Sequence, residues 1–167
     1  MPSNIRRLTS DDVPRLRQFW TEHWGGEFIV THGVIHRPED VEGFVVGDEN
    51  FWDGLITFKI LGDECEVLSL DGLKEGQGIG TMLLRKVIEE ARAGNCRRVF
   101  LITTNDNLYA LGFYQRRDFE LVAVHRGAVD ETRKIKPAIP IIGQNHIPLR
   151  DEIELEMILN PQGHSET

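Results

Sequence analysis

A glycine-rich run at residues 75–81 is the part of the sequence whose spacing most directly indicates chemistry. It reads Glu-Gly-Gln-Gly-Ile-Gly-Thr and joins a strand-like segment to a helix-like one. Such a loop leaves main-chain N–H groups unpaired at a helix N-terminus, where the helix dipole is positive. Glycine lets a bound group approach these donors because it has no side chain. The run is therefore predicted to bind a phosphate or pyrophosphate, although a flexible turn would have a similar composition.

Two common nucleotide-binding loops do not fit this spacing. A P-loop ends in Gly-Lys-Ser/Thr, whereas Gly80 is followed directly by Thr81. A dinucleotide-binding fingerprint needs a third glycine where Thr81 stands. It also needs an acidic residue after the next strand, where the sequence has Thr103-Thr104-Asn105. Both motifs are therefore disfavoured.

Composition and charge narrow the class of protein. The chain has 167 residues, of which 40% are hydrophobic and 28% charged, as expected of one globular domain. A net charge of −8 disfavours general nucleic-acid binding and permits a cationic acceptor such as an amine. Neither a membrane span nor a signal peptide is indicated by the apolar runs. We therefore expect a cytoplasmic protein that binds neither nucleic acid nor membrane.

Cysteines and histidines give no indication of a metal site. Cys65 and Cys96 are expected to be reduced and to lie at or near strands. The six histidines, at positions 23, 32, 36, 125, 146 and 164, are scattered, and none pairs with a cysteine at zinc-site spacing. No metal is predicted.

The apolar pattern predicts a mixed sheet with helices on both of its faces. The predicted strands are residues 5–8, 43–46, 52–61, 64–70, 98–103, 119–125 and 152–159. Three helices are predicted. The first ends at Gly25-Gly26, the second covers residues 79–93 and the third covers residues 107–117.

Two segments have no clear periodicity. Residues 27–40 are interpreted as a loop with some helix. Residues 128–150, which contain three prolines, are interpreted as an irregular surface excursion that could serve as a lid or a dimer contact. We expect one domain over residues 1–159 and a polar tail over residues 160–167.

Two motifs resemble those of the GCN5-related N-acetyltransferase (GNAT) family. The glycine loop is similar to that family's Gln/Arg-x-x-Gly-x-Gly/Ala, with Glu75 in the first position. The run Asn107–Tyr114, followed by Asp118-Phe119, resembles Asn-x-x-Ala-x-x-Phe/Leu-Tyr-x-x-x-Gly-Phe, with aspartate where glycine is commoner. The resemblance spans residues 5–159. It implies an α/β (α+β) GNAT fold, with one mixed, mostly antiparallel sheet of about seven strands that is splayed in the middle.

The resemblance also implies an activity. Members of this family move the acetyl group of acetyl-CoA to a primary amine of a small molecule, peptide or protein, by direct transfer in a ternary complex. One alternative is a catalytically silent acyl-CoA-binding module that acts as a sensor or partner. Another is a transferase for a longer acyl group. Either a monomer or a homodimer fits.

Several residues are implied to bind the cofactor. The pyrophosphate is expected on the main-chain N–H groups of residues 77–81, with little help from the Glu75 side chain. The pantetheine arm is expected to pair like an extra strand with residues 68–70. The alternative role of Leu68 and Leu70 is packing in the hydrophobic core. Asn107 would hydrogen-bond the cofactor or, alternatively, cap a helix. The implied set is Leu68, Ser69, Leu70, Glu75, Gly76, Gln77, Gly78, Ile79, Gly80, Thr81, Asn107, Leu111 and Tyr114.

Tyr114 is the candidate general acid. In the family, a tyrosine at the matching position protonates the departing thiolate of coenzyme A. Packing of an aromatic side chain on a short helix is the structural alternative. The acceptor is expected to bind near the first helix, the segment after it and residues 128–150. Side chains that could line its pocket are Trp20, Trp24, His32, Trp52 and those of residues 139–143.

The general base is expected on the strand that leads to the glycine loop. Glu64 lies nearest to the position of the glutamate in histone-acetylating relatives. Glu66 has the strand parity of Leu68 and Leu70 and is closer to the expected gap in the sheet. Glu66 is preferred. The weaker candidates are Asp71 and His125.

Overall fold

Nine strands and four α-helices are found in the part of the chain that the computed structural model describes, residues 4–73 and 76–159. The strands are β1 (Ile5–Arg7), β2 (Ile29–Thr31), β3 (Val34–His36), β4 (Glu42–Gly47), β5 (Trp52–Leu61), β6 (Glu64–Gly72), β7 (Arg98–Thr104), β8 (Glu120–His125) and β9 (Glu152–Ile158). The helices are α1 (Val13–Trp24), α2 (Ile79–Ala93), α3 (Leu108–Gln115) and α4 (Ala128–Ile135).

Seven of the strands form one mostly antiparallel sheet in the order β1-β4-β5-β6-β7-β9-β8. This confirms the predicted fold class. The described residues group into two compact units. The first is built on β1, α1, β4, β5, β6 and α2, and the second on most of β7 with α3, β8, α4 and β9. The single domain stays a prediction, and residues 160–167 lie outside the described part.

Helix α1 covers one face of the first unit's strands. Its apolar residues recur at helical spacing, so three of them reach the core together. Gly25 ends the helix with φ 78°, in the left-handed conformation that glycine adopts readily. The buried cluster on this face consists of Leu16, Phe19, Trp20, Ile29, Val45, Trp52 and Leu55.

Helix α2 covers the opposite face of the same strands. Gly54 of β5 gives it room, because a Cβ at this position would lie 2.5 Å from Ile79 Cγ2 and 3.1 Å from Leu83 Cδ1. The helix begins and ends at the predicted residues. In this unit, therefore, helices pack on both faces of the strands. The buried residues of α2 are Ile79, Leu83, Leu84, Val87 and Ala91.

Within the segment 27–40, residues 29–36 form a β-hairpin, which the prediction of a loop with some helix missed. Strands β2 and β3 pair across a turn in which His32 has φ 49° and Gly33 has φ 79°. Each strand has only three residues, too few to show the alternation that identifies a strand. The helical part of the segment is a single 3-10 turn, Pro38–Asp40.

The segment 128–150 begins with helix α4, which the prediction of an irregular excursion missed. The rest of the segment is tied to this helix by Arg133. Its guanidinium donates to the main-chain carbonyl groups of Ile139 (3.3 Å), Pro140 (2.7 Å) and Leu149 (2.7 Å). Prolines soon after the helix obscured its short pattern in the sequence.

Candidate functional site

The glycine loop lies at the N-terminus of α2, as predicted. Gly76 and Gly78 have φ values of 78° and 71°, which other residues adopt at a cost. A Cβ built on either glycine would meet no protein atom within 4 Å. The backbone conformation therefore favours glycine at both positions, and the space beside them is open. Glu75 lies outside the described residues.

The first turn of α2 presents main-chain donors. Its N-cap residue, Gly78, makes no side-chain capping bond. The Met82 N–H donates to the Gly78 carbonyl at 3.0 Å. The N–H groups of Ile79 and Gly80 precede that bond, so they have no acceptor within the helix. Because the first turn also holds no acidic residue, this end of α2 is suited to an anion.

Strand β6, which leads into the loop, carries an extra residue at Leu68. Its register with β5 pairs Ser69 with Thr57 and then Val67 with Phe58, so no residue of β5 stands opposite Leu68. Such a bulge leaves one residue outside the ladder and bends the strand, and bulges are frequent beside active sites. It falls in the run 68–70 that is predicted to pair with pantetheine.

The bulge shows that the predicted orientation of Glu66 is wrong. Thr57 and Lys59 are two residues apart on β5 and share a face of the sheet. Their cross-strand partners are Ser69 and Glu66. Since directly paired residues point to the same side, Glu66 shares a face with Ser69 and not with Leu70. Assigning faces by taking every second residue along β6 fails, because the bulge interrupts the alternation of side chains.

Glu64, the second candidate base, is held by two arginines. Its Oε1 accepts a hydrogen bond from Arg98 Nη2 at 3.2 Å, and its Oε2 accepts one from Arg97. These ion pairs fix the carboxylate and give it a structural role. Glu66 is half-buried and remains the favoured candidate.

The face of β6 directed toward α1 is polar. Trp20 Nε1 donates to Ser69 Oγ at 3.3 Å, and that oxygen lies 2.6 Å from Thr57 Oγ1. Trp24 Nε1 donates to Asp71 Oδ2 at 2.8 Å. Burial raises the pKa of Asp71 above its usual value. Two tryptophans that were predicted near the acceptor are therefore engaged by this strand.

Asn107 caps helix α3, which is the alternative role considered from the sequence. Its Oδ1 accepts a hydrogen bond from the Ala110 N–H at 3.1 Å. This bond does not use the amide nitrogen, which can still donate to a ligand. Leu111, also in the predicted cofactor set, is half-buried one turn further along the helix.

Tyr114 is 6% exposed and lies in the last turn of α3. Its ring is edge-on to Phe113, at 5.1 Å between ring centroids, and to Phe119, at 5.3 Å. The packing role considered as an alternative is therefore present. It is compatible with the acid role, because a packed ring holds its hydroxyl in a defined direction.

A group of histidines and glutamates in the second unit was only partly anticipated. We call His32, His125, Glu152 and Glu154 the His–Glu cluster. The rings of the two histidines are 4.4 Å apart, and His125 Nε2 lies 3.0 Å from Glu154 Oε1. The alternating Glu-Ile-Glu-Leu-Glu of β9, which predicted a strand, also indicated carboxylates on one face. Nothing in the sequence linked them to His32.

Metals, membranes and thiols can be assessed for the described residues. Residues 4–73 and 76–159 contain no group of three histidine, cysteine or acidic side chains arranged to hold a metal ion. No helix within these residues is both long and apolar enough to cross a membrane. Cys65 and Cys96 are buried free thiols, and burial raises the pKa of Cys65 to about 12.

Comparison with known proteins identifies the family of this chain. A family model described as Acetyltransferase (GNAT) family matches residues 7–119. The uncharacterized protein YdhI of Bacillus subtilis (strain 168) is 40% identical over 146 residues, which cover 87% of this chain and 91% of that protein.

Two solved structures share the fold. An IAA acetyltransferase from Bacillus cereus ATCC 14579 has a TM-score of 0.70 and 20% identity, with 93% of this chain and 99% of that chain covered. A GNAT family acetyltransferase from Elizabethkingia anophelis, solved with acetyl-CoA bound, has a TM-score of 0.66 and 20% identity, with 93% and 97% covered.

Proposed function

The chain belongs to the acetyltransferase (GNAT) family, and we propose that it moves the acetyl group of acetyl-CoA to a primary amine. The observation that carries this proposal is the open glycine loop at the N-terminus of α2. Main-chain donors at such a helix end suit a pyrophosphate, which coenzyme A contains. The structural neighbour that was solved with acetyl-CoA supports the same cofactor.

In this proposal, main-chain N–H groups of residues 77–81 bind the pyrophosphate and residues 68–70 pair with the pantetheine arm. The bulge at Leu68 supports the second assignment, because it bends β6 at these residues, and bulges are frequent beside active sites. The Ser69 hydroxyl is already bonded within the core, so contacts with the arm come from the main chain. The Asn107 amide nitrogen and Leu111 complete the proposed set.

Two side chains handle the protons of the proposed reaction. Glu66 accepts a proton from the ammonium form of the acceptor, directly or through water. The amine nitrogen then attacks the acetyl carbonyl carbon, the carbon–sulfur bond breaks, and Tyr114 donates its proton to the departing thiolate. The new amide nitrogen loses its remaining extra proton to water, and Tyr114 regains a proton from solvent. The fixed ring of Tyr114 supports its role. The ion pairs of Glu64 make it the less suitable base.

Cofactor binding and turnover can be tested separately. Calorimetric titration with coenzyme A is expected to show one site per chain. Release of free thiol from acetyl-CoA is then measured with a panel of small amines and peptides, and is expected to exceed hydrolysis for at least one of them. Binding without any amine-dependent release would favour a silent binding module. No binding of coenzyme A would overturn the proposal.

A further inference from the structure

We propose that the His–Glu cluster binds an ammonium group of the acceptor. This inference rests on the proposed function, because it identifies the side chains that recognise the amine substrate of the same enzyme. It concerns residues that take no part in the proton transfers described above.

The cluster is assembled from segments that are far apart in the sequence. His32 comes from the turn of the β2–β3 hairpin, His125 from the end of β8, and the two glutamates from the start of β9. The register of β8 and β9 pairs His125 with Glu152 and Ala123 with Glu154. Paired residues point to the same side of a sheet, so this histidine and both carboxylates share one face.

Glu152 is the reason to expect a cation. Its side chain is only 4% exposed. Its oxygens accept hydrogen bonds from neutral donors, the main-chain N–H of His32 at 3.1 Å and the Thr132 hydroxyl at 3.4 Å. His32 Nδ1 is 3.8 Å away, and no lysine or arginine of the described residues forms an ion pair with this carboxylate. Burying a carboxylate without a permanently charged partner is costly, so a ligand that supplies the cation would be stabilised.

His125 provides a second acceptor for the same group. Its Nε2 lies 3.0 Å from Glu154 Oε1, a distance at which Nε2–H donates to the carboxylate. In that tautomer Nδ1 is an acceptor. An ammonium group has three N–H donors and no acceptor, which suits a site made of carboxylate oxygens and one imidazole nitrogen.

His32 opens the cluster to solvent. Its side chain is 61% exposed, although its main-chain N–H is held by Glu152. Its ring is tilted by 54° against that of His125, at 4.4 Å between centroids. A small amine can therefore approach from the solvent side along the imidazole faces.

The start of β9 lies beside the turn where β7 ends and α3 begins. Asn105, just after β7, accepts hydrogen bonds at its Oδ1 from the N–H groups of Arg150 (3.0 Å) and Asp151 (2.9 Å). Its own N–H donates to the Asp151 carbonyl at 3.0 Å. The start of β9, which carries Glu152, is therefore fixed beside the start of the helix that carries the proposed acid.

Nuclear magnetic resonance of the full chain with labelled histidines tests the inference. The probe is benzylammonium chloride, and benzyl alcohol is its neutral counterpart of similar shape. The cation is expected to shift the ring signals of His32 and His125 and to leave those of the exposed His146 unchanged. No shift with the cation, or an equal shift with the alcohol, would overturn the proposal.

Variants show whether the carboxylates are responsible. Glu154→Gln keeps the shape of the side chain and is expected to weaken benzylammonium binding at least about tenfold, by removing one charge and the preferred orientation of His125. His146→Gln is the matched control and should not change it. Equal binding in Glu154→Gln and the parent chain would contradict the proposal.

The same samples distinguish failure of this inference from failure of the proposed function. Coenzyme A affinity is expected to be unchanged in Glu154→Gln, while KM for amine substrates rises and kcat changes less. If coenzyme A binds and amines are acetylated with an unchanged KM, the cluster is not the acceptor site. If coenzyme A does not bind, the proposed function fails, whatever benzylammonium does.

Discussion

The glycine loop and the His–Glu cluster would recognise their ligands in opposite ways. The loop belongs to one continuous stretch, β6 to α2, and offers main-chain donors. The cluster brings together side chains from three separate segments. Main-chain recognition leaves a trace in the sequence as glycine spacing, whereas converging side chains leave none until the chain has folded. This difference explains why the cofactor is easier to infer from sequence than the acceptor.

The largest expected effect comes from placing a side chain on the loop. Gly78→Val puts bulk into the open space beside the α2 N-terminus and disfavours its φ of 71°. We expect the affinity for coenzyme A, measured by calorimetry, to fall about 100-fold or more.

A matched control separates the ligand contact from the backbone strain. Gly62, in the turn between β5 and β6, has φ 63° and equally open surroundings. Gly62→Val should lose a similar amount of stability but keep its affinity for coenzyme A. If both variants lost affinity equally, strain rather than contact with the cofactor would explain the result.

The second prediction tests whether catalysis depends on Tyr114, which lies in the second unit. Tyr114→Phe removes one hydroxyl from a packed ring, so we expect kcat to fall about 100-fold while the affinity for coenzyme A barely changes. Tyr109→Phe, at the exposed tyrosine of the same helix, should have no effect. Full activity of Tyr114→Phe would exclude the tyrosine as the acid.

The third prediction concerns the segment that leads from α4 to β9. A Cβ at Gly143 would lie 2.1 Å from Asp106 Oδ2, a buried carboxylate oxygen that accepts from the Gln144 N–H at 2.7 Å. Gly143→Ala is expected to lower the free energy of unfolding in urea by about 1–3 kcal/mol, because the segment must shift.

Gly94 is the matched control for that substitution. A Cβ there would meet only ordinary contacts, at 3.5 Å and beyond, so Gly94→Ala should change stability little. The comparison is sharpened if Gly143→Ala also raises KM for the amine without weakening coenzyme A binding. Equal stability of the two variants would show that the residues around Gly143 can shift without lowering the free energy of unfolding.

The smallest expected effect is on the pH dependence of stability. Burial lowers the pKa of His36 to about 4, and the Lys59 ammonium, 3.0 Å from its Nδ1, adds to the shift. Below pH 6.5 the unfolded chain binds a proton that the folded chain does not, so the free energy of unfolding falls as the pH is lowered from about 6.5 to 4.

Urea unfolding across that pH range would measure this effect. In His36→Gln the decline should be shallower, whereas His146→Gln, at an exposed site, should follow the parent chain. An unchanged slope in His36→Gln would show that this histidine is not protonated on unfolding in that range.

Long amphipathic elements were predictable to the residue, whereas three of the short elements, β2, β3 and α4, were missed. Helix α2 and strand β5 begin and end at the predicted residues, because each has enough residues to show its period. The three-residue strands β2 and β3 are too short to show a period, and the prolines after α4 obscured the pattern of that helix.

For the candidate site, the sequence located the loop but not the side-chain geometry. The glycine positions follow from the backbone conformation that they adopt. The face of Glu66 was assigned wrongly, because a bulge arises from the pairing of two strands and has no signature in one of them. Which residues contact the cofactor stays a prediction.

The extra residue at Leu68 also affects how this strand could be redesigned. Deleting it would leave Ser69 opposite Thr57 and Val67 opposite Phe58 in an unbroken ladder, so every side chain would keep its present face and only the bend in the strand would be lost. An engineer who shortened β6 at this point would therefore keep its packing and change its path.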